Sequence, residues 1–130
     1  MSDVQSVFTT HAPAPGGHYS QAVAFGHLLF VSGQLPLLGN GSHDANAFFE
    51  NQCRRALQSL FAILAAGGSS PEQVLKVTAY IVGVENWPSF DRVYAEMFGA
   101  HRPARSVVPV PNLHYGYLVE IDAIAALEMK

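Results

Sequence analysis

The sequence predicts an α+β domain in which a single mixed β-sheet carries two helices packed on one face, one domain over residues 1–130. Three observations predict it. Apolar runs short enough to be strands lie near both ends and at the centre, two segments repeat apolar residues at helical three- and four-residue steps, and no repeat, low-complexity tract or linker divides the chain.

Residues 4–9 suit a short edge strand, and residues 11–17, rich in Pro, Ala and Gly, an extended arm. Residues 22–25 and 28–32 read as strands joined by Gly26-His27, because a Gly-X pair between apolar runs is the signature of a type II′ hairpin. After the turn-rich residues 39–42, a long amphipathic helix is expected from near Asp44. Its apolar stripe is Phe49, Cys53, Ala56, Leu57, Leu60, Ile63 and Leu64, and Gly67-Gly68 stops it. Ser70-Pro71-Glu72-Gln73 offers a capping serine and a proline at the first helical position, so one helical turn leads into a strand at residues 74–82. Alternation there puts Leu75, Val77, Ala79 and Ile81 on one face and Lys76, Thr78, Tyr80 and Val82 on the other. Phe90, Val93, Tyr94, Met97 and Phe98 form a second helical stripe ended by Gly99. Strands at residues 104–110 and 118–127, joined by a loop at 111–117, complete the order.

Two helices can cover only one face of such a sheet. The other holds Tyr80, Val82, Val107 and Leu118 or Ile124, too apolar a surface to leave in water, so self-association into a closed cyclic oligomer is expected. Seven basic and ten acidic residues are few for a small domain, which agrees with surface buried against other subunits.

The formal charge of -3, with the basic residues scattered, disfavours a nucleic-acid partner. No apolar segment approaches the roughly 20 residues of a membrane helix, and the first residues lack the basic-then-apolar pattern of a secretory leader. No membrane association and a cytoplasmic location are the resulting expectations. Cys53 is the lone cysteine and falls on the apolar stripe of the long helix, where an inert core role is expected. The six histidines show neither H-E-x-x-H nor a helical i,i+4 pair, so no metal site is expected.

Arg105 and Glu120 are the informative residues, each an ionised side chain inside an apolar strand, where burial is costly without a partner. A guanidinium grips a carboxylate through two parallel hydrogen bonds, and a carboxylate nearby can orient or deprotonate a water. The alternative is a structural Arg105 to Glu120 salt bridge between neighbouring strands. Ser32 lies in no G-x-S-x-G elbow, so a serine hydrolase is not indicated. Gly33 at a strand end allows a ligand close to its backbone N–H, or simply turns the chain into Leu35-Pro36. His114 lies with Tyr115 and Tyr117 in the last loop, where loop packing is the competing role.

Tyr19-Ser20-Gln21-Ala22, Phe30-Val31-Ser32-Gly33-Gln34-Leu35-Pro36, Val77-Thr78, Val93-Tyr94, Phe98, Pro103-Ala104-Arg105-Ser106 and Leu118-Val119-Glu120-Ile121 occur in that order. Together they resemble the Rid (reactive intermediate deaminase, YjgF-like) family in its arginine-containing branch. The resemblance implies a chorismate-mutase-like fold, a homotrimer whose sheets form a central barrel, and active sites in the clefts between subunits. It implies hydrolysis of enamine or imine acids to 2-oxo acids and ammonia, in the manner of 2-iminobutanoate/2-iminopropanoate deaminases and without a cofactor. Arg105 then clamps the substrate carboxylate and Glu120 positions the attacking water. The resemblance carries Tyr19 over as a pocket wall and Gly33 and Val107 as positions whose backbone holds the ligand; Ser32 and His114 are expected to be substrate-binding residues beside them. Departures from the family pattern are His18 in place of proline, Asp91 in place of asparagine, Val107 where cysteine is frequent, and the aromatic His114-Tyr115-Gly116-Tyr117 loop. The alternative reading is a non-catalytic trimer that binds small carboxylates or acts in a chaperone-like way.

Overall fold

The structure is a computed structural model and describes residues 3–127, so the outermost residues of the predicted domain, 1–2 and 128–130, lie outside it. Six strands form one sheet: β1 (Gln5–Val7), β2 (Ala22–Phe25), β3 (Leu28–Gln34), β4 (Val74–Val82), β5 (Ala104–Val110) and β6 (Val119–Ala126). Two helices, α1 (Phe49–Ala66) and α2 (Trp87–Phe98), accompany it. The strand order is β1-β2-β3-β6-β4-β5, with β5 parallel to β4 and every other pair antiparallel. This is the mixed sheet of an α+β domain, and α2 is the crossover that a parallel β4–β5 pair requires.

Local chemistry accounts for most of the elements. Gly26 turns the β2–β3 hairpin at φ 61, while His27 keeps a negative φ, the combination a type II′ turn demands. The stripe of α1 is buried as its spacing predicts, and Leu57, Leu60, Ile63 and Leu64 have no exposed surface. Each contributes about 1.5–3 kcal/mol by leaving water. The helix ends in a Schellman motif: Gly68, at φ 87, donates to the Ala65 carbonyl at 3.2 Å and Ser69 N donates to the Leu64 carbonyl at 2.8 Å.

Three expectations change. The long helix begins at Phe49, about a turn later than Asp44, because other parts of the chain hold the backbone at 44–47. Gln52 Nε2 donates to the carbonyls of Ala45 and Ala47, and Asp44 N donates to the Tyr117 hydroxyl. Ser70 makes no side-chain cap; its hydroxyl donates to Gln73 Oε1 instead. Leu75 is exposed although Val77, Ala79 and Ile81 are buried, because the register between β4 and β6 shifts between Val74 and Lys76 and turns Leu75 outward.

The pairing also decides which face carries each candidate residue. Arg105, Val107 and Pro109 stand opposite Val77, Ala79 and Ile81 of β4, on the face that the helices cover. Val107 packs against the core there, so it does not belong to the open face on which the sequence set it. Glu120 and Asp122 stand opposite Tyr80 and Thr78, on the uncovered face. That face also exposes Phe30, Leu28 and Val108, the apolar surface expected of an associating chain.

Candidate active site

A bulge in β3 shapes the first part of the site. Val31 pairs with Ala123 and Gln34 with Ile121, so β3 spends three steps where β6 spends two, and Ser32-Gly33 bow out of the ladder. Glu120 lies in the space that the missing side chain of Gly33 leaves: a Cβ on Gly33 would come within 2.6 Å of Glu120 Oε2. The close approach that the glycine allows is therefore, first of all, that of a carboxylate from the next strand. Ser32 donates from Oγ to the Ser20 carbonyl at 2.6 Å and from its backbone N to the Gln21 carbonyl at 2.9 Å, which ties the bulge to the arm before β2.

Glu120 borders a cavity of about 580 Å³ with Tyr19, Ser32, Gly33 and His114. Its carboxyl is half-buried and makes no hydrogen bond to another described residue. Burial raises its pKa above the ordinary value of 4.5; nearby His114 draws it back and Asp122 pushes it up. A carboxylate so placed holds a proton more readily than one in water, as suits a group that takes and returns protons. Tyr19 stands half in solvent at the mouth, where its hydroxyl accepts a hydrogen bond from Gly16 N at 3.3 Å.

Arg105 lies elsewhere. Its guanidinium stacks over Tyr94, 4.7 Å from the ring centre, and reaches over Phe90 at 5.7 Å, both on α2. Nη1 donates to Asp91 Oδ1 at 2.9 Å, and the guanidinium makes no other hydrogen bond among the described residues. It borders a second cavity, of about 490 Å³, with Asp91, Tyr94, Phe98, His101 and Arg102. The buried Tyr94 hydroxyl beside it has no hydrogen-bond partner among the described residues, and burial pushes its pKa up to about 12 against the pull of Arg105. A direct Arg105 to Glu120 bridge is ruled out. β4 lies between β5 and β6, and the two residues occupy opposite faces. The ionic partner of Arg105 is Asp91, one turn into α2.

Tyr19, Ser32, Gly33, His114 and Glu120 thus come together in one cavity, whereas Arg105 borders another and Val107 packs beneath the helices. Sequence reasoning missed the residues that hold the walls in place. Gln21 is buried; its Oε1 accepts from Thr9 N at 2.7 Å and its Nε2 donates to the Thr9 and Pro13 carbonyls, which pins the arm that forms one wall. Gln52, also buried, accepts from Leu118 N and donates to the 45–47 turn, joining the two loops at the opposite wall. An amide just before an apolar run was the available signal for Gln21, and an amide three residues after Phe49 and four before Ala56, in step with the apolar stripe, for Gln52. His43, whose ring lies 4.0 Å from that of Tyr115, offered none.

Residues 9–127 match the family described as endoribonuclease L-PSP. A RutC family protein of Pyrococcus horikoshii is 40% identical over 122 residues, covering 94% of this chain and 97% of its own. A protein of Dermatophagoides farinae named 2-iminobutanoate/2-iminopropanoate deaminase is 31% identical over 128 residues, 98% of this chain and all of its own. Among solved structures, that of Escherichia coli TdcF with bound serine is 32% identical, covers 95% of this chain and 99% of its own, and superposes with a TM-score of 0.89.

Proposed function

The chain belongs to the endoribonuclease L-PSP family, which takes in the proteins called YjgF, Rid and RutC, and on that premise we propose that it hydrolyses enamine and imine acids to 2-oxo acids and ammonia. One observation carries the reading: a guanidinium and a half-buried carboxylate, the two groups the chemistry needs, border separate cavities on opposite faces of the same sheet. Neither cavity holds both. A closed ring of chains, with the open face of one against the β5 edge of the next, sets Arg105 of one protomer beside Glu120 of the partner subunit. We take the ring to be a trimer. The serine held by TdcF and the deaminase name of the mite relative support a small amino-acid-like substrate.

In this reading the substrate carboxylate lies along the edge of Arg105 that Asp91 leaves free. An enamine first takes a proton at its β-carbon to become the imine. Water held by Glu120 then adds to the imine carbon; a C–O bond forms, the C=N π pair moves to nitrogen, and the water proton passes to Glu120. Glu120 returns that proton to nitrogen to give the neutral carbinolamine; as this collapses, its hydroxyl proton passes by way of Glu120 to the nitrogen, the C=O bond forms, the C–N bond breaks and ammonia leaves. The raised pKa of Glu120 makes it a readier proton carrier than a carboxylate in water. The imine carbon is already electrophilic, so positioning supplies much of the acceleration.

The family description raises RNA cleavage as a second reaction, and the charge distribution of this chain disfavours it. Arg54, Arg55, Arg92 and Arg105 each pair with a carboxylate, on Glu96, Asp44, Glu50 and Asp91 respectively, so the described residues leave only Lys76 and Arg102 outside such pairs, too few for a basic track along a phosphate backbone.

The test generates imino acids in place with an amino-acid oxidase and follows their decay by trapping with semicarbazide. Wild-type protein is expected to speed the decay, and Arg105→Ala and Glu120→Gln each to lose at least about a hundredfold while the oligomer persists by light scattering. Unchanged decay with wild-type protein, together with measurable binding of oxo acids, would establish the non-catalytic carboxylate binder instead.

A further inference from the structure

Tyr115 has a left-handed backbone, φ 64, and is the one residue other than glycine with a positive φ among those described. For a bulky residue that conformation costs energy and persists only where its surroundings enforce it. The enforcement comes from a second loop. His43 stacks on Tyr115 with ring centres 4.0 Å apart and tilted by 40°, and its Nδ1 lies 3.4 Å from the Tyr117 hydroxyl, which in turn accepts from Asp44 N. Tyr117 is almost wholly buried, so the cluster is anchored from below, while Tyr115 stays 58% exposed at the wall of the Glu120 cavity. The fold thus maintains a strained backbone that presents an aromatic face beside the candidate catalytic carboxylate.

We propose that the His43–Tyr115 pair is the side-chain subsite and selects imino acids with aromatic side chains. This rests on the deaminase reading above. On the single protomer the cavity measures about 580 Å³, within the range that takes drug-sized ligands, which leaves room for a ring-bearing side chain before the next protomer closes over it. Its remaining wall on this side includes Leu35 and Leu37, and no lysine or arginine among the described residues of the same chain borders it. With Glu120 as the acid of this wall and Arg105 of the partner subunit taken up by the substrate's own carboxylate, an anionic side chain meets repulsion with no counter-charge left over, whereas a planar neutral ring gains offset stacking on Tyr115.

The experiment compares kcat/KM for the imines that an amino-acid oxidase makes from phenylalanine and from alanine, and alongside it the binding of phenylpyruvate and of pyruvate by calorimetry. Tyr115→Gly removes the ring and suits the positive φ, so the loop keeps its path; Tyr115→Phe keeps the ring and loses only the hydroxyl. The wild-type protein is expected to prefer the aromatic compound of each pair. That preference should fall threefold to tenfold in Tyr115→Gly and in His43→Ala and survive in Tyr115→Phe. A wild-type preference for the small compounds, or a ratio unmoved by Tyr115→Gly, would overturn the proposal. If no imine decays faster, the deaminase reading fails, and the phenylpyruvate-to-pyruvate binding ratio still decides whether the aromatic wall selects its ligand.

Discussion

Gly33 and Glu120 are tightly coupled, because the carboxylate occupies the volume any β-carbon at position 33 would need. The atom in the way is the far end of a flexible side chain, so a methyl group there displaces the carboxylate more than it strains the fold. Gly33→Ala is accordingly expected to lower imine-hydrolysis kcat/KM at least about tenfold while costing less than about 1.5 kcal/mol of stability, as kinetics and thermal melting would show. Glu120 has a signature of its own. Its folded pKa is raised, chiefly by burial, so the proton is held better in the folded chain than in the unfolded one. The stability that this proton confers is complete below the ordinary value of 4.5 and disappears as pH climbs through the raised value. Glu120→Gln is therefore expected to melt higher than the wild type at neutral pH, with the difference closing on acidification below 4.5 at fixed protein concentration. A difference that grows towards acid would contradict the sign. Arg105 and Glu120 were legible as candidates because an ion in an apolar strand stands out in sequence alone. The Asp91 partner and the Tyr94 ring were not, since both depend on how α2 crosses over β5.

Among the elements, the helices could be read and the strand pairing could not. The stripes on α1 and α2 obey a local period, so Cys53, Leu57, Leu60, Phe90 and Val93 fall in the core as their spacing requires. Burial also pushes the Cys53 thiol up to about 12, which leaves it the inert core residue that the stripe suggested. Pairing is a non-local property. Nothing near β5 or β6 announces that β4 inserts between them, and that single fact moves Val107 to the helix side and separates Arg105 from Glu120. The β3 bulge was equally silent, although Gly33 marked its place. The loops around the site depend on Gln52, whose amide holds the 45–47 turn and the start of β6 together from inside the fold. Gln52→Ala strands the Leu118 N–H and frees two carbonyls, and a loss of about 2–4 kcal/mol in chemical denaturation is expected. A cost below about 0.5 kcal/mol would mean that water replaces those bonds.

For the whole molecule, one chain presents an uncovered apolar sheet face with Glu120 on it and a guanidinium beyond the sheet's other side, which on the proposed reading is half of each site. The sequence implied a second copy only through that surplus of apolar surface and through family resemblance, because no local pattern encodes a contact between chains. The proposed assembly makes a demand on stoichiometry. If each site takes Arg105 from one protomer and Glu120 from the next, two defective chains can complement each other. The direct measurement is to coexpress Arg105→Ala and Glu120→Gln chains with different tags, purify the mixed oligomers on both tags, and assay imine hydrolysis. Each variant alone is expected to be inactive. Mixed trimers of either composition contain one intact site in three, so the account predicts recovery of about one third of wild-type activity. Mixed oligomers as inactive as their parents, beside an active wild type, would contradict it.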